Sequence, residues 1–303
     1  MKIKRTNFSN PLVLQAVVGV CFFFALLVLV APVAASGPWK WRRSLTGDPS
    51  GNFLVMPSGL YVDEAKERYY VVDDGNNRLL AYDRDGKFVN SFDAGGSLKT
   101  PYDMTRDRAG RIWVVEKGRN SLTSIDMQAH DVSPHTLRDQ GRTVYPDRLQ
   151  IFGDNLLVLD KATGTILEFD QELHVTQRFG CDDCGAGFVD FSVSGETLWA
   201  LQRQGKVYGF PLTGGKPKIL ALANRQGFFS SLAIGPAGRL YLLDRHDGSV
   251  AVYDDAGAFK YSFLAPGQAR GRVYYPVKLL FDPWGNLCVV DEGNGRVQIF
   301  SRQ

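Results

Sequence analysis

An anchor residue followed by a short apolar strand recurs six times along this chain, and that repeat limits the fold more than any other feature. The anchors are Pro57 (PSGLYVD), Pro101 (PYDMTRD), Pro146 (PDRLQIF), Phe188 (FVDFSVS), Phe229 (FSSLAIG) and Pro276 (PVKLLFD), spaced 44, 45, 42, 41 and 47 residues apart. After each anchor come a tight turn, a second apolar strand, a polar turn and a third strand. The turns include Asp107-Arg-Ala-Gly110 and Asp282-Pro-Trp-Gly285. A fourth strand follows in most repeats, as in Phe88–Phe92 and Phe259–Phe263. No helical periodicity separates them. A period in the forties with four antiparallel strands per unit predicts an all-β fold, a six-bladed β-propeller.

The sixth repeat ends at Gln303 after three strands, whereas Trp39–Leu45 precedes the first anchor and has no blade of its own. Placing that segment as the fourth strand of the last blade closes the ring and covers an open sheet edge. The propeller is therefore expected to span residues 39–303.

Two turns carry a further signature. Val71-Val-Asp-Asp-Gly-Asn-Asn-Arg-Leu-Leu-Ala-Tyr-Asp-Arg-Asp-Gly86 resembles the NHL repeat, V-x-D-x-x-N-x-R followed by an apolar residue, an aromatic-Asp pair and a Gly. Val289-Val-Asp-Glu-Gly-Asn-Gly-Arg296 is similar to it, while blade 2 has Glu116 for the Asp and Ser121 for the Arg, and blade 4 has Gln202. The resemblance implies an NHL-like six-bladed ring of bacterial, exported type. It leaves the function open, because such rings serve as ligases, lyases, receptors and scaffolds.

The N-terminal segment predicts export. Lys2, Lys4 and Arg5 precede an apolar run from Leu12 to Val30, and Pro32 and Val33-Ala34-Ala35 offer a cleavage site. Residues 1–35 are read as a signal peptide, with an uncleaved anchor at residues 12–31 as the alternative. Either reading places the ring in the periplasm or outside the cell, with the membrane touched only through an uncleaved segment. The charge supports this division. The chain carries +3, all of it from those three bases, so the rest has 32 bases against 32 acids. A neutral, exported domain argues against nucleic acid as a partner. In an oxidising compartment Cys181 and Cys184, in C-x-x-C spacing, are expected to form a disulfide, and Cys288 to be a buried apolar residue.

The candidate binding residues lie two positions past the anchors. Gly59, Asp103, Arg148, Asp190, Ser231 and Lys278 fall on the innermost strands, which line the channel. Asp103, Arg148, Asp190 and Lys278 form either mutual ion pairs or a socket for a zwitterionic or carboxylated ligand, with Arg148 as the anion fork. The inter-blade loops are expected at the same mouth. Arg270, Arg272, Tyr274 and Tyr275 of the longest loop, with Tyr145, make the candidate rim. By contrast, Asp73, Glu116, Asp160, Gln202, Asp244 and Asp291 at the ends of the second strands are read as turn-forming residues.

Catalytic residue types are scarce. The domain has only His130, His135, His174 and His246, which by position do not converge on the channel as three zinc ligands. No G-x-S-x-G, H-E-x-x-H or P-loop occurs. The expected function is a non-catalytic binding or scaffold module for a protein, peptide or small polar ligand, with no catalytic residues, no metal site and no cofactor assigned. The alternative is a metal-dependent lyase or hydrolase in the channel, lactonase-like or amidoglycolate-lyase-like, for which calcium is the cofactor left open.

Overall fold

The computed structural model describes residues 38–303 except 182–184, 186, 204 and 224–226. The expected leader (1–35), its anchor alternative (12–31) and Cys184 lie outside the described residues. Every anchor opens an innermost strand: Pro57–Asp63, Pro101–Arg106, Pro146–Phe152, Phe188–Ser194, Phe229–Ile234 and Pro276–Phe281. Each leads outward through three further antiparallel strands, forming six four-stranded sheets. In blade 1, for example, these are Arg68–Asp73, Arg78–Asp83 and Phe88–Phe92. Blade 6 takes its outermost strand from the N-terminal side. Trp39–Leu45 pairs antiparallel with Arg296–Arg302, Trp39 opposite Arg302 and Leu45 opposite Val297. The ring is an all-β, six-bladed propeller closed by that strand.

Near-continuous apolar runs such as Leu156-Leu-Val-Leu159 and Leu287-Cys-Val-Val290 make the middle strands, because both faces of each sheet are covered by neighbouring blades. All eight of those residues are buried. Outer strands are wetter, and Phe88–Phe92 has no fully buried residue. Between blades 2 and 3 the chain adds a small hairpin, Arg138–Asp139 against Arg142–Thr143.

The six innermost strands share one irregularity. Each anchor pairs with the last residue of the second strand, as in Pro57 with Asp73 and Pro276 with Asp291. The next residue is skipped, and pairing resumes two past the anchor, as in Gly59 with Val72 and Lys278 with Val290. Such a bulge re-aims the side chain that follows it. Here it turns Asp103, Arg148, Asp190 and Lys278, each two past its anchor, toward the channel.

Gly59 is the exception that has no side chain to aim. A Cβ there would lie 2.9 Å from the Tyr102 carbonyl oxygen and 3.1 Å from the Asp103 Cα, both backbone atoms of blade 2. Gly59→Ala is therefore expected to force blades 1 and 2 apart and to lower stability by about 1–3 kcal/mol. Chemical denaturation reads this directly. An unchanged unfolding free energy would mean that the close approach is not required.

Candidate functional site: the channel and its inter-blade mouth

Innermost strands are edge strands, so their inward N–H and C=O groups need partners other than a neighbouring strand. The re-aimed side chains supply them. Asp103 Oδ2 accepts from Leu149 N at 3.2 Å, Asp190 Oδ2 from Leu232 N at 2.8 Å, and Ser231 Oγ from Leu279 N at 3.0 Å. Each bond joins one blade to the next. Blade 3 uses Gln150 instead, whose Oε1 accepts from Val193 N at 3.0 Å while its Nε2 donates to Phe191 O at 3.4 Å. Arg148 is thereby released, and its Nη2 donates to Val277 O of the opposite blade at 3.2 Å.

The four expected channel charges do meet, as two acid–base pairs. Lys278 Nζ contacts Asp103 Oδ1, and Arg148 Nε lies 3.7 Å from Asp190 Oδ1. Asp103 is fully buried and the other three are nearly so. The guanidinium of Arg148 also lies 4.7 Å from the Tyr102 ring centre. Burial opposes its charge, but Tyr102, Asp147, Asp190 and Asp103 hold its pKa above the ordinary value. Burial raises the Asp190 carboxyl despite Arg148. Burial would also raise Asp147, yet Arg148 and Lys117 together hold it below the usual range. Arg148 Nε and Nη1 have no hydrogen-bond acceptor among the described residues.

A cavity of about 540 Å³ has these pairs in its lining. It continues along the innermost strands past Tyr61, Gln150, Ser192 and Leu280 to Arg106 and Pro283, near the turns into the second strands. Antiparallel order puts the inter-blade loops at the other end. None of the five expected rim residues lines this cavity. Tyr274 and Tyr275 stack edge to face at 4.6 Å, with Arg245 over Tyr275. Arg270 lies over Trp41 on the outermost strand of blade 6, Arg272 donates to Pro266 O, and Tyr145 occupies a separate depression beside Asp160. The sequence-derived rim is thus spread around the mouth and does not converge with the channel charges.

The carboxylates ending the second strands hold the incoming loops. Asp73 accepts from Val55 N at 2.7 Å, Asp160 from Tyr145 N at 2.9 Å, Asp244 from Phe228 N at 3.0 Å and Asp291 from Tyr274 N at 2.7 Å. In blades 1 and 6 the Asn and Arg of the NHL-like turn complete the set. Asn76 and Arg78 donate to Asp73, and Asn294 and Arg296 to Asp291, all at 2.7–2.8 Å. No three His, Cys, Asp or Glu side chains among the described residues are arranged to hold a metal ion. Cys181 is disulfide-bonded, and Cys288 is a buried thiol whose pKa burial raises.

Sequence reasoning missed a second series, one residue past the end of each second strand: Asp74, Lys117, Lys161, Arg203, Arg245 and Glu292. Four consecutive blades present a cation at the inter-blade mouth, and the other two present an acid. Lys117 lies over Tyr102, Arg203 over Phe228 and Arg245 over Tyr275. At the two ends of the arc, Lys117 also meets Asp147 at 2.9 Å and Arg245 meets Glu292. Met56, Tyr145, Phe228, Tyr274 and Tyr275 are each 39–54% exposed around the same mouth. Met56 and Tyr275 adopt left-handed backbone at φ 51° and 47°, which bulky side chains rarely accept.

No family model matches the chain. A 76-residue stretch, 23% of the chain, is 34% identical to NHL repeat-containing protein 3 of Mus musculus, and 32% identical to that of Homo sapiens. The match spans 22% of the length of each of these curated relatives. Among solved structures, virginiamycin B lyase from Staphylococcus aureus superposes with a TM-score of 0.65 at 13% identity, covering 88% of this chain and 100% of that one. A gluconolactonase from Xanthomonas campestris gives 0.66 at 16% identity, covering 86% and 88%. At these identities the likeness shows the fold alone. With the repeat similarity, it makes the domain an NHL-like six-bladed propeller.

Proposed function

We propose that the ring is an exported, non-catalytic binding module whose inter-blade mouth takes a carboxylate-rich protein or peptide segment. The observation that carries this reading is the cationic arc of Lys117, Lys161, Arg203 and Arg245, interleaved with exposed aromatic side chains. Cations beside aromatic faces suit an acidic and aromatic partner, giving charge complementarity and stacking area together. Export rests on the N-terminal segment. The alternative, a metal-dependent lyase or hydrolase, draws support from the fold likeness and from the 540 Å³ cavity. The two acids in that cavity's lining, Asp103 and Asp190, are each paired with a base among the described residues.

A fluorescently labelled peptide of alternating Glu and Tyr tests the proposal. The unaltered domain should bind it saturably, with affinity falling as salt rises. Lys161 and Arg203 are exposed, so Lys161→Glu with Arg203→Glu should weaken binding about tenfold or more without moving the melting temperature. Equal affinity in the double variant, or no binding by the unaltered domain, overturns the reading. Tighter binding of a single-stranded oligonucleotide overturns the partner class.

A further inference from the structure

The wedge between blades 1 and 2 is packed less completely than the others. Among the described residues, six buried apolar side chains fill it, including Val72, Leu79, Met104 and Val114. The other five inter-blade clusters contain nine to twelve. The position three residues before the last residue of each second strand shows where the deficit lies. It is buried as Trp113, Leu157, Tyr241 and Cys288. Trp199 of blade 4 is half-buried, but its ring covers Gly209 on the adjoining strand. Tyr70 of blade 1 is half-buried as well; its ring meets that of Tyr61 at 6.1 Å and lines a void.

That missing packing is a cavity of about 320 Å³. Tyr70, Leu79, Phe92 and Ile112 give it apolar walls, and Lys66, Arg68 and Arg106 contribute cations. Arg106 is already engaged, donating to Asp63 and to the Gly110 carbonyl at 2.9 Å each. Among the described residues the Arg68 side chain has neither a hydrogen bond nor an ion pair, and Lys66 bonds only through its backbone. The lining acid, Asp126, is turned to its own tight turn, where Ala129 N and Gln128 N hold its carboxyl below the ordinary pKa.

We propose that this cavity is a second binding site, for a small monoanion with an apolar body. Tyr70, Phe92 and Ile112 take the body, and Arg68 with Lys66 takes the carboxylate. The volume lies at the low end of the roughly 300–1,000 Å³ of ligand pockets, which fits one small molecule and excludes a peptide. Bound there, the apolar body completes the deficient core between the two blades, while the head remains at the solvent edge where the cations can reach it. The site is independent of the inter-blade mouth, since it opens near the turns that lead into and out of the middle strands.

Naphthalene-2-carboxylate is a suitable probe, with naphthalene-2-carboxamide as its uncharged counterpart. Calorimetric titration should show saturable binding of the carboxylate, and binding of the carboxamide about tenfold weaker or worse. Arg68→Glu should weaken carboxylate binding by at least about tenfold. Asn90→Trp, on the exposed outer strand of blade 1, should block the cavity and abolish binding while the domain still melts cooperatively. The Lys161→Glu and Arg203→Glu pair should leave carboxylate binding unchanged, which separates this site from the peptide site. No saturable binding up to about 1 mM, or binding indifferent to both Arg68→Glu and Asn90→Trp, overturns the proposal.

Discussion

Replacing Lys278 by Met should destabilise the ring by about 3–5 kcal/mol, because it leaves a buried carboxylate without its cation. Asp103 is fully buried, with one oxygen on Lys278 Nζ and the other on Leu149 N at 3.2 Å. Met fills nearly the same volume as the Lys stem, so little of the loss comes from packing. For a domain of this size such a loss lowers the melting temperature by roughly 10 °C. Adding Asp103→Asn should restore most of it, since the amide oxygen still accepts from Leu149 N and no charge remains stranded. Denaturant unfolding of the two single variants and the double gives the coupling energy. If Lys278→Met alone stays within about 0.5 kcal/mol of the unaltered protein, the pair is not a structural element and the channel charges are free for a ligand.

The pairing logic also limits what the pair contributes. A buried ion pair is weak evidence for net stability, because desolvating both charges costs about as much as their attraction returns. Its structural consequence is register. Lys278 and Asp103 belong to blades 6 and 2, so their contact spans the ring on either side of blade 1, where Gly59 has no side chain to contribute. Arg148 spans it again by donating to Val277 O. The two contacts link blades that share no sheet.

The blades were legible in the sequence because each anchor, turn and apolar run is local information. Pro57, Pro101 and Pro276 open their strands where the repeat places them. The candidate channel residues were legible as a set for the same reason, being two past every anchor. Their partners were not. Asp103 and Lys278 stand 175 residues apart, and no spacing rule links them. Nor does the sequence separate Gln150, which joins blade 3 to blade 4, from any polar strand residue. Rim and channel were expected together because both lie near the start of the innermost strand. The cavity instead extends toward that strand's far end, so Tyr145, Tyr274 and Tyr275 remain outside it. The cationic series could have been found by aligning the residue that follows each second strand. Net charge concealed it, since a neutral total says nothing of how charges divide between two faces.

Trp39→Ala should cost about 3–5 kcal/mol, and removal of residues 1–45 should abolish cooperative unfolding. Trp39 closes the ring chemically as well as topologically. Its ring meets Tyr241 at 6.0 Å, Phe263 at 6.3 Å and Phe281 at 5.6 Å, so one side chain from the N-terminal strand joins blades 5 and 6. At the other end of the strand, Leu45 is buried in the core between blades 6 and 1. Without the strand, Arg296–Arg302 becomes a seven-residue open edge with an unpaired row of N–H and C=O groups, a template for pairing with another chain. The truncated protein should therefore elute as larger assemblies or aggregate, whereas Trp39→Ala should keep the elution volume of the unaltered protein with a lowered midpoint. Size-exclusion chromatography and thermal melts distinguish the two. A truncated chain that elutes like the unaltered protein and melts at the original temperature would show that three strands suffice for blade 6.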